Sequence, residues 1–307
     1  MGKVAFVFPG QGSQKAGMGR AVFESSDVAR GVFESADRAL GESLSTLCFE
    51  GPDAELTLTA NTQPAILTVS VALFRALDRT PDCVAGHSLG EWSAHVATGS
   101  LALEDAVRMV RKRGTYMQSA VPVGEGAMAA ILKAEPSVVE DVCALVDGVV
   151  EPVNYNGPGQ IVIAGSAAAV KLASEALKEK GARAMPLPVS APFHSSLMRP
   201  AEDRLATDLE GVTFATPSSP VYVNVDAVPL TSPDELRDAL LRQVSRPVRW
   251  EQSVARMVED GVTLFVEIGP GKVLTGLIGR IAKNVTAISV QEPADFEAAR
   301  AAIDAAR

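Results

Sequence analysis

The chain has 307 residues, 47% of them apolar and 21% charged, with a net charge of −9. That length admits one large domain or up to two ordinary ones with a full buried core, and the negative balance argues against nucleic acid as a general partner. Three widely spaced cysteines, Cys48, Cys83 and Cys143, form neither a disulfide framework nor a metal site, so a reducing, cytoplasmic setting is expected.

In chain order, Lys3 to Phe8 reads as a buried strand, followed by the turn Pro9-Gly10-Gln11-Gly12. The opening residues up to Phe6 match neither a secretory signal nor a myristoylation site. Asn61-Thr62-Gln63-Pro64 predicts a helix start, with a cap candidate before a proline and an apolar run behind it. That run, Ala65 to Phe74, is too short to span a bilayer. Cys83 to Ala85 predicts a second strand, Ser88 opens a helix that Gly99 can close, and a further helix runs from Leu103 to about Ala120. Strands alternating with helices predict a mainly parallel α/β sheet. The middle of the chain differs: strand, helix, strand, strand, helix, strand from Ala127 to Val189, the order of a ferredoxin-like unit, with a turn at Asn156-Gly157-Pro158-Gly159 and its second helix at Ala168–Lys180. After His194 a helix and strands near Val221–Asn224 and Leu264–Ile268 are expected. We expect residues 1–123 and 190–307 to form one large domain, α/β-hydrolase-like, and 124–189 a small ferredoxin-like domain inserted into it.

The chemistry begins at Gly86-His87-Ser88-Leu89-Gly90, a G-x-S-x-G pentapeptide between a strand and a helix. There the glycines let the backbone turn sharply and leave the serine oxygen exposed, although an ordinary strand-to-helix turn can look the same. A serine nucleophile needs a base, and the chain has only three histidines. His87 abuts Ser88 and should point away from its oxygen. His95 lies farther along the same helix, about 10 Å at 1.5 Å per residue. Elimination leaves His194, in a loop where the chain returns from the small unit, against the alternative of an ordinary structural histidine. No Asp or Glu stands in an obvious orienting position.

Ala106, Val110, Arg113 and Met117 share one helix face. An arginine on an apolar stripe must meet an anion, either a buried acidic side chain or a substrate carboxylate held in a two-pronged fork. The turn Gly10-Gln11-Gly12-Ser13-Gln14 fails the dinucleotide and P-loop spacings. It is either a plain turn or a source of backbone N–H groups for an oxyanion hole shared with the amide of Leu89.

Five ordered motifs, Phe8–Gln14, Asn61–Ala65, Gly86–Glu91, Arg113–Gln118 and Pro192–Ser195, closely resemble those of the malonyl-CoA:acyl carrier protein transacylases, over essentially the whole chain. The resemblance implies a ping-pong acyl transfer with Ser88 as nucleophile and His194 as base. It places the backbone amides of Gln11 and Leu89 at the oxyanion and Arg113 on the malonyl carboxylate. It also implies that a main-chain carbonyl at Gln243 orients the histidine, and that Gln63, Phe193 and Asn156 contact substrate. Phe193 before the histidine favours malonyl over methylmalonyl, and Pro192 replaces the alanine of many members. No bound cofactor or metal is implied, because the phosphopantetheine arrives on the acyl carrier protein. A monomer with no membrane or nucleic-acid partner is expected. Carrier docking is expected to use Lys178, Lys180, Arg183, Arg199 and Arg204. The rival readings are a polyketide-pathway malonyl transferase, a serine esterase or thioesterase, and a non-catalytic carrier-docking module. Against the esterase, no histidine follows His194 in the sequence.

Overall fold

The computed structural model describes residues 2–189 and 191–307. Met1 and Ser190 lie outside the described residues, and with Ser190 the junction where the large unit is expected to resume. Among the described residues ten strands form two sheets: β1 Lys3–Phe8, β2 Cys83–Gly86, β3 Gly126–Leu132, β4 Val150–Gly157, β5 Gln160–Ser166, β6 Arg183–Pro186, β7 Val221–Tyr222, β8 Pro229–Leu230, β9 Val262–Ile268 and β10 Thr286–Val290. The first sheet has the order β10-β9-β1-β2-β7-β8 and is parallel except for the β7–β8 pair. The second, β4-β5-β3-β6, is antiparallel.

Strand β1, KVAFVF, is apolar at every position after Lys3, as a strand buried on both faces must be. Val4, Phe6 and Phe8 enter the core shared with helices Thr59–Leu77 and Leu103–Ser119, while Ala5 and Val7 join Trp250, Val254, Met257 and Leu277 on the other face. Each such large side chain, fully buried, contributes about 1.5–3 kcal/mol. The small sheet carries helices Pro136–Leu145 and Ala167–Glu179 on one face, with Ile131, Val139, Val142, Ile163 and Leu177 between them. Its other face holds Met128, Val153, Val162 and Ala164, packed by Leu187, Val189 and Phe193.

Three differences from the sequence reading concern the site. The helix expected to start at Asn61–Pro64 begins at Thr59, and Pro64 lies inside it. The N–H groups of Asn61 and Thr62 already bond the Leu58 carbonyl, both at 2.8 Å, and the Asn61 amide donates to Glu55 instead of capping. Strand β4 continues through Asn156 and Gly157, where a turn is expected. The segment expected to be a strand from Val221 to Asn224 shortens to Val221–Tyr222, because the side chain of Asn224 bonds Gly86 and Ser88. Three helices, Arg20–Ser25, Asp27–Leu40 and Leu44–Glu50, occupy a stretch for which the sequence suggested no element.

The two helices that frame the site cross closely at Gly114. A Cβ there would stand 2.6 Å from the Thr59 carbonyl oxygen, so only glycine allows the contact. That contact sets Arg113 beside Gln63.

Candidate active site

Strand β2 delivers the chain to Ser88, whose φ of 51° and ψ of −108° are far from the helical values that begin at Leu89. The flanking glycines are required sterically. A Cβ on Gly90 would lie 1.9 Å from the Phe8 carbonyl oxygen, and one on Gly86 would lie 1.9 Å from the Gly90 carbonyl carbon. Ser88 therefore stands on a turn pressed against β1, in a backbone conformation that costs on the order of 1–3 kcal/mol and persists only where its surroundings fix it.

Those surroundings are side chains from distant parts of the sequence. The Ser88 N–H donates to Asn224 Oδ1 at 2.8 Å, and Gln243 Nε2 donates to the Ser88 carbonyl at 3.1 Å. Ser88 Oγ lies 2.7 Å from His194 Nε2, and His194 Nδ1 lies 2.7 Å from the Gln243 carbonyl oxygen. A carbonyl can only accept, so Nδ1 carries the proton, and Nε2 is left to accept from the serine hydroxyl. Burial and the charge of Arg113 push the His194 pKa down to about 3, which keeps the ring neutral and able to take a proton at neutral pH. His194 itself has a positive φ of 66°, a second strained residue at the same point.

Arg113 is 1% exposed. Its Nη1 donates to Gln63 Oε1 at 2.8 Å, and its Nη2 to Gln243 Oε1 at 2.9 Å and to Ser88 Oγ at 3.2 Å; Nε is buried without a partner. Burial lowers its pKa to about 10, so it remains a cation at neutral pH. No carboxylate salt bridge to it occurs among the described residues. Arg113, Ser88 and His194 open on one cavity of about 310 Å³, lined also by Gln11, Leu89, Gln63 and Phe193. Leu89 is the first residue of its helix, so its N–H has no intrahelical acceptor. Gln11 lies in the turn after β1 and ties its side chain to Thr59 Oγ1 at 3.2 Å. The set can deprotonate a hydroxyl, present main-chain donors to an oxyanion and hold an anionic group beside it.

Asn156 falls outside this lining. Its Oδ1 is 2.8 Å from Nε2 of His87, which lines the cavity, as does Asn154 of the same strand. His95 is buried against Ser100 at 2.7 Å. Two residues escaped the sequence reading. Asn224 gives no local signal, because its role depends on a fold-level contact. Glu91 gives a weak one, an acid in the first turn of a helix with few charged residues. Among the described residues no helix is long and apolar enough to cross a membrane, and no cluster of three His, Cys, Asp or Glu could hold a metal ion.

A family model described as acyl transferase domain matches residues 5–294. The malonyl CoA-acyl carrier protein transacylase of Bacillus subtilis (strain 168) is 48% identical over 306 residues, covering 97% of this chain and 96% of its own length. The crystal structure of an acyl carrier protein S-malonyltransferase from Vibrio cholerae O1 biovar eltor superposes with a TM-score of 0.95 at 46% identity, covering 97% of this chain and 99% of that one. A malonyl-transacylase solved in complex with its type II PKS acyl-carrier protein superposes at 0.94, with 44% identity and 97% and 98% coverage. With a matching fold, near-complete coverage and the Ser88–His194–Arg113 arrangement in place, the chain belongs to the acyl transferase family.

Proposed function

We propose that this protein transfers the malonyl group of malonyl-CoA to the phosphopantetheine thiol of an acyl carrier protein, through a malonyl ester on Ser88. The observation that carries the reading is Arg113, a buried cation with an unpaired Nε, converging on the same hydroxyl that contacts His194. Ser88 Oγ attacks the thioester carbonyl carbon as its proton passes to His194 Nε2. Main-chain N–H groups of Gln11 and Leu89 receive the oxyanion. The tetrahedral adduct collapses by breaking the C–S bond, and the CoA sulfur takes the proton back from Nε2. The carrier thiol then repeats the cycle on the ester carbonyl, gives its proton to Nε2, and expels Ser88 Oγ, which recovers it. Arg113 receives the malonyl carboxylate in a paired, charge-assisted contact, with Gln63 fixing the guanidinium and Phe193 closing one wall. The main-chain carbonyl of Gln243 stands where a serine triad has its acid.

Residues 1–123 and 190–307 form, in this reading, an α/β-hydrolase-like catalytic unit, and 124–189 a ferredoxin-like insertion. The order β-α-β-β-α-β and the sheet order β4-β5-β3-β6 support the latter. The protein is read as a cytoplasmic monomer without a resident cofactor, a setting that its three free, buried cysteines suit. Fatty-acid synthesis is the first reading for the carrier. A polyketide carrier is the second, supported by the relative solved with its type II PKS acyl-carrier protein.

Intact-protein mass spectrometry after mixing with malonyl-CoA, followed by addition of each carrier, tests the proposal. One malonyl adduct per chain that passes to a carrier is expected. CoA release with hydrolysis and no transfer would establish an esterase, and no CoA release a docking module.

A further inference from the structure

The Ser88–His194 pair has no acid in its own hydrogen-bond chain, because His194 ends on a main-chain carbonyl. One carboxylate nevertheless lies directly beneath it. Glu91 is fully buried, one turn into the helix that Ser88 opens. Its Oε2 accepts from the main-chain N–H of Asn224 at 2.7 Å and from Gln243 Nε2 at 3.0 Å, while Oε1 is buried without a partner. Both residues it holds act on the site. Asn224 Oδ1 receives the Ser88 N–H, and Gln243 Nε2 reaches the Ser88 carbonyl. Gln243 also accepts from Arg113 through its side-chain oxygen and from His194 through its main chain.

A carboxylate accepts only, so it dictates which end of the Gln243 amide faces it. The NH2 turns to Glu91, and the oxygen is left for Arg113. Both sides of the strained Ser88 peptide thus end, one residue removed, on a single oxygen atom. The charge has a second consequence. When His194 takes the serine proton, two cations, the imidazolium and Arg113, share a buried site with no other carboxylate hydrogen-bonded into it.

We propose that Glu91 is the positioning residue of this site: it fixes Ser88, Arg113 and His194 through Asn224 and Gln243, and its negative charge offsets the imidazolium that forms on His194. The proposal rests on the reading of Ser88 as nucleophile and His194 as base.

The groups acting on Glu91 are few. Arg113 lowers its pKa and Asp226, itself paired with Arg242, raises it; the contacting groups are neutral amides. Burial dominates and pushes the Glu91 carboxyl up to about 7, whereas His194 and His95 are both pushed down to about 3 and His87 is also lowered. Burial thus moves Glu91 toward neutrality and moves His194 away from it. The ionised form of Glu91 is the one that supports the reaction, so acylation should rise as pH increases through about 7.

The test is the single-turnover rate of malonyl adduct formation on Ser88 between about pH 5.5 and 8.5, in the wild-type protein and in Glu91→Gln. Glutamine keeps the length and one acceptor oxygen but not the charge. The wild-type rate should rise with a midpoint near 7. The variant should be pH-independent, about tenfold slower at the alkaline end and equal to wild type at the acid end. A structural role alone would lower the rate by the same factor at every pH. That outcome, a midpoint unchanged in the variant, or a flat wild-type profile would overturn the proposal. The wild-type profile alone decides the matter if the variant does not fold. Absence of any wild-type adduct would overturn the transferase reading, and the proposal with it; an adduct with a flat profile would overturn only the proposal.

Discussion

The two sheets differ in how they are covered. The six-stranded sheet is packed on both faces, with Phe6 and Phe8 in one core and Ala5 and Val7 in the other. The four-stranded sheet has helices on one face only, and its other face is a small apolar cluster around Met128, completed by Phe193 from the loop that carries His194. Ser88 and the two side chains on its hydroxyl, His194 and Arg113, all come from segments outside the small sheet, while that sheet contributes walls such as Met128 and Asn154. The doubly covered sheet therefore carries the Ser88 turn, and the half-covered sheet shapes the space beside it. Substitutions around the first should change rates and the hold on the malonyl carboxylate, and those in the second should change the size of acyl group or the carrier accepted.

The largest effect should come from Ser88→Ala, which removes the only hydroxyl presented on the turn and should abolish the malonyl adduct in intact-protein mass spectra. A full-stoichiometry adduct on the variant would place the nucleophile elsewhere. Arg113→Ala comes next. A buried guanidinium facing an acetyl group has no counter-charge, and sites built around a polar partner reject analogues lacking it by roughly 10⁴-fold. The malonyl-to-acetyl ratio of kcat/KM should collapse by a factor of that order, with Arg113→Lys recovering only part of it. An unchanged ratio would make Arg113 a structural cation.

His194→Ala should slow acylation by about 10² or more, and His95→Ala, whose ring contacts Ser100 rather than the cavity, should leave turnover nearly intact. The reverse ranking would reassign the base. On the other side of the comparison, Met128→Ala enlarges the apolar wall by a few methylene equivalents. It should raise transfer of bulkier acyl groups relative to malonyl by about 10- to 200-fold, with malonyl kcat little changed. A loss of malonyl kcat comparable to that of His194→Ala would erase the distinction between the two sheets.

Carrier docking should give the smallest effect. The structure narrows the basic candidates, since Arg199 pairs with Glu202 and Arg204 stacks 3.8 Å over the Tyr116 ring. Lys178, Lys180 and Arg183, all on the small unit, are exposed and make no ion pair among the described residues. Reversing their charge should raise KM for the carrier several-fold, most strongly at low salt, and spare malonyl-CoA hydrolysis. Carrier kinetics indifferent to all three reversals would remove this surface from consideration.

Legibility in the sequence followed locality. The turn at Ser88 is written in adjacent residues, because each flanking glycine meets a backbone that only glycine can approach. Helices Leu103–Ser119 and Ala167–Glu179 were readable within a residue or so, from apolar spacing and bounding glycines. Arg113 declared itself as a charge on an apolar stripe. Gln243 contributes its main-chain oxygen to His194, and main-chain oxygens carry no compositional signal, so only the family resemblance pointed there. Asn224 and Glu91 matter because strand β7 sets Asn224 against the helix that begins at Leu89, a contact between positions far apart in sequence. Asn156, to which the family resemblance also pointed, lies on β4 and bonds His87.

Strand β4 is also the edge of its sheet, and that edge is closed from outside. Val248 donates to the Val153 carbonyl at 2.8 Å and accepts from the Tyr155 N–H at 2.9 Å. During synthesis the small unit emerges from the ribosome dozens of residues before Val248 does. Until then it presents an open strand edge along β4, the feature that invites pairing with a neighbouring chain. The nascent protein therefore passes through an interval in which the strand that carries Asn154, a wall of its later cavity, is open to other chains. Residues 124–189 expressed alone would remain in that state permanently.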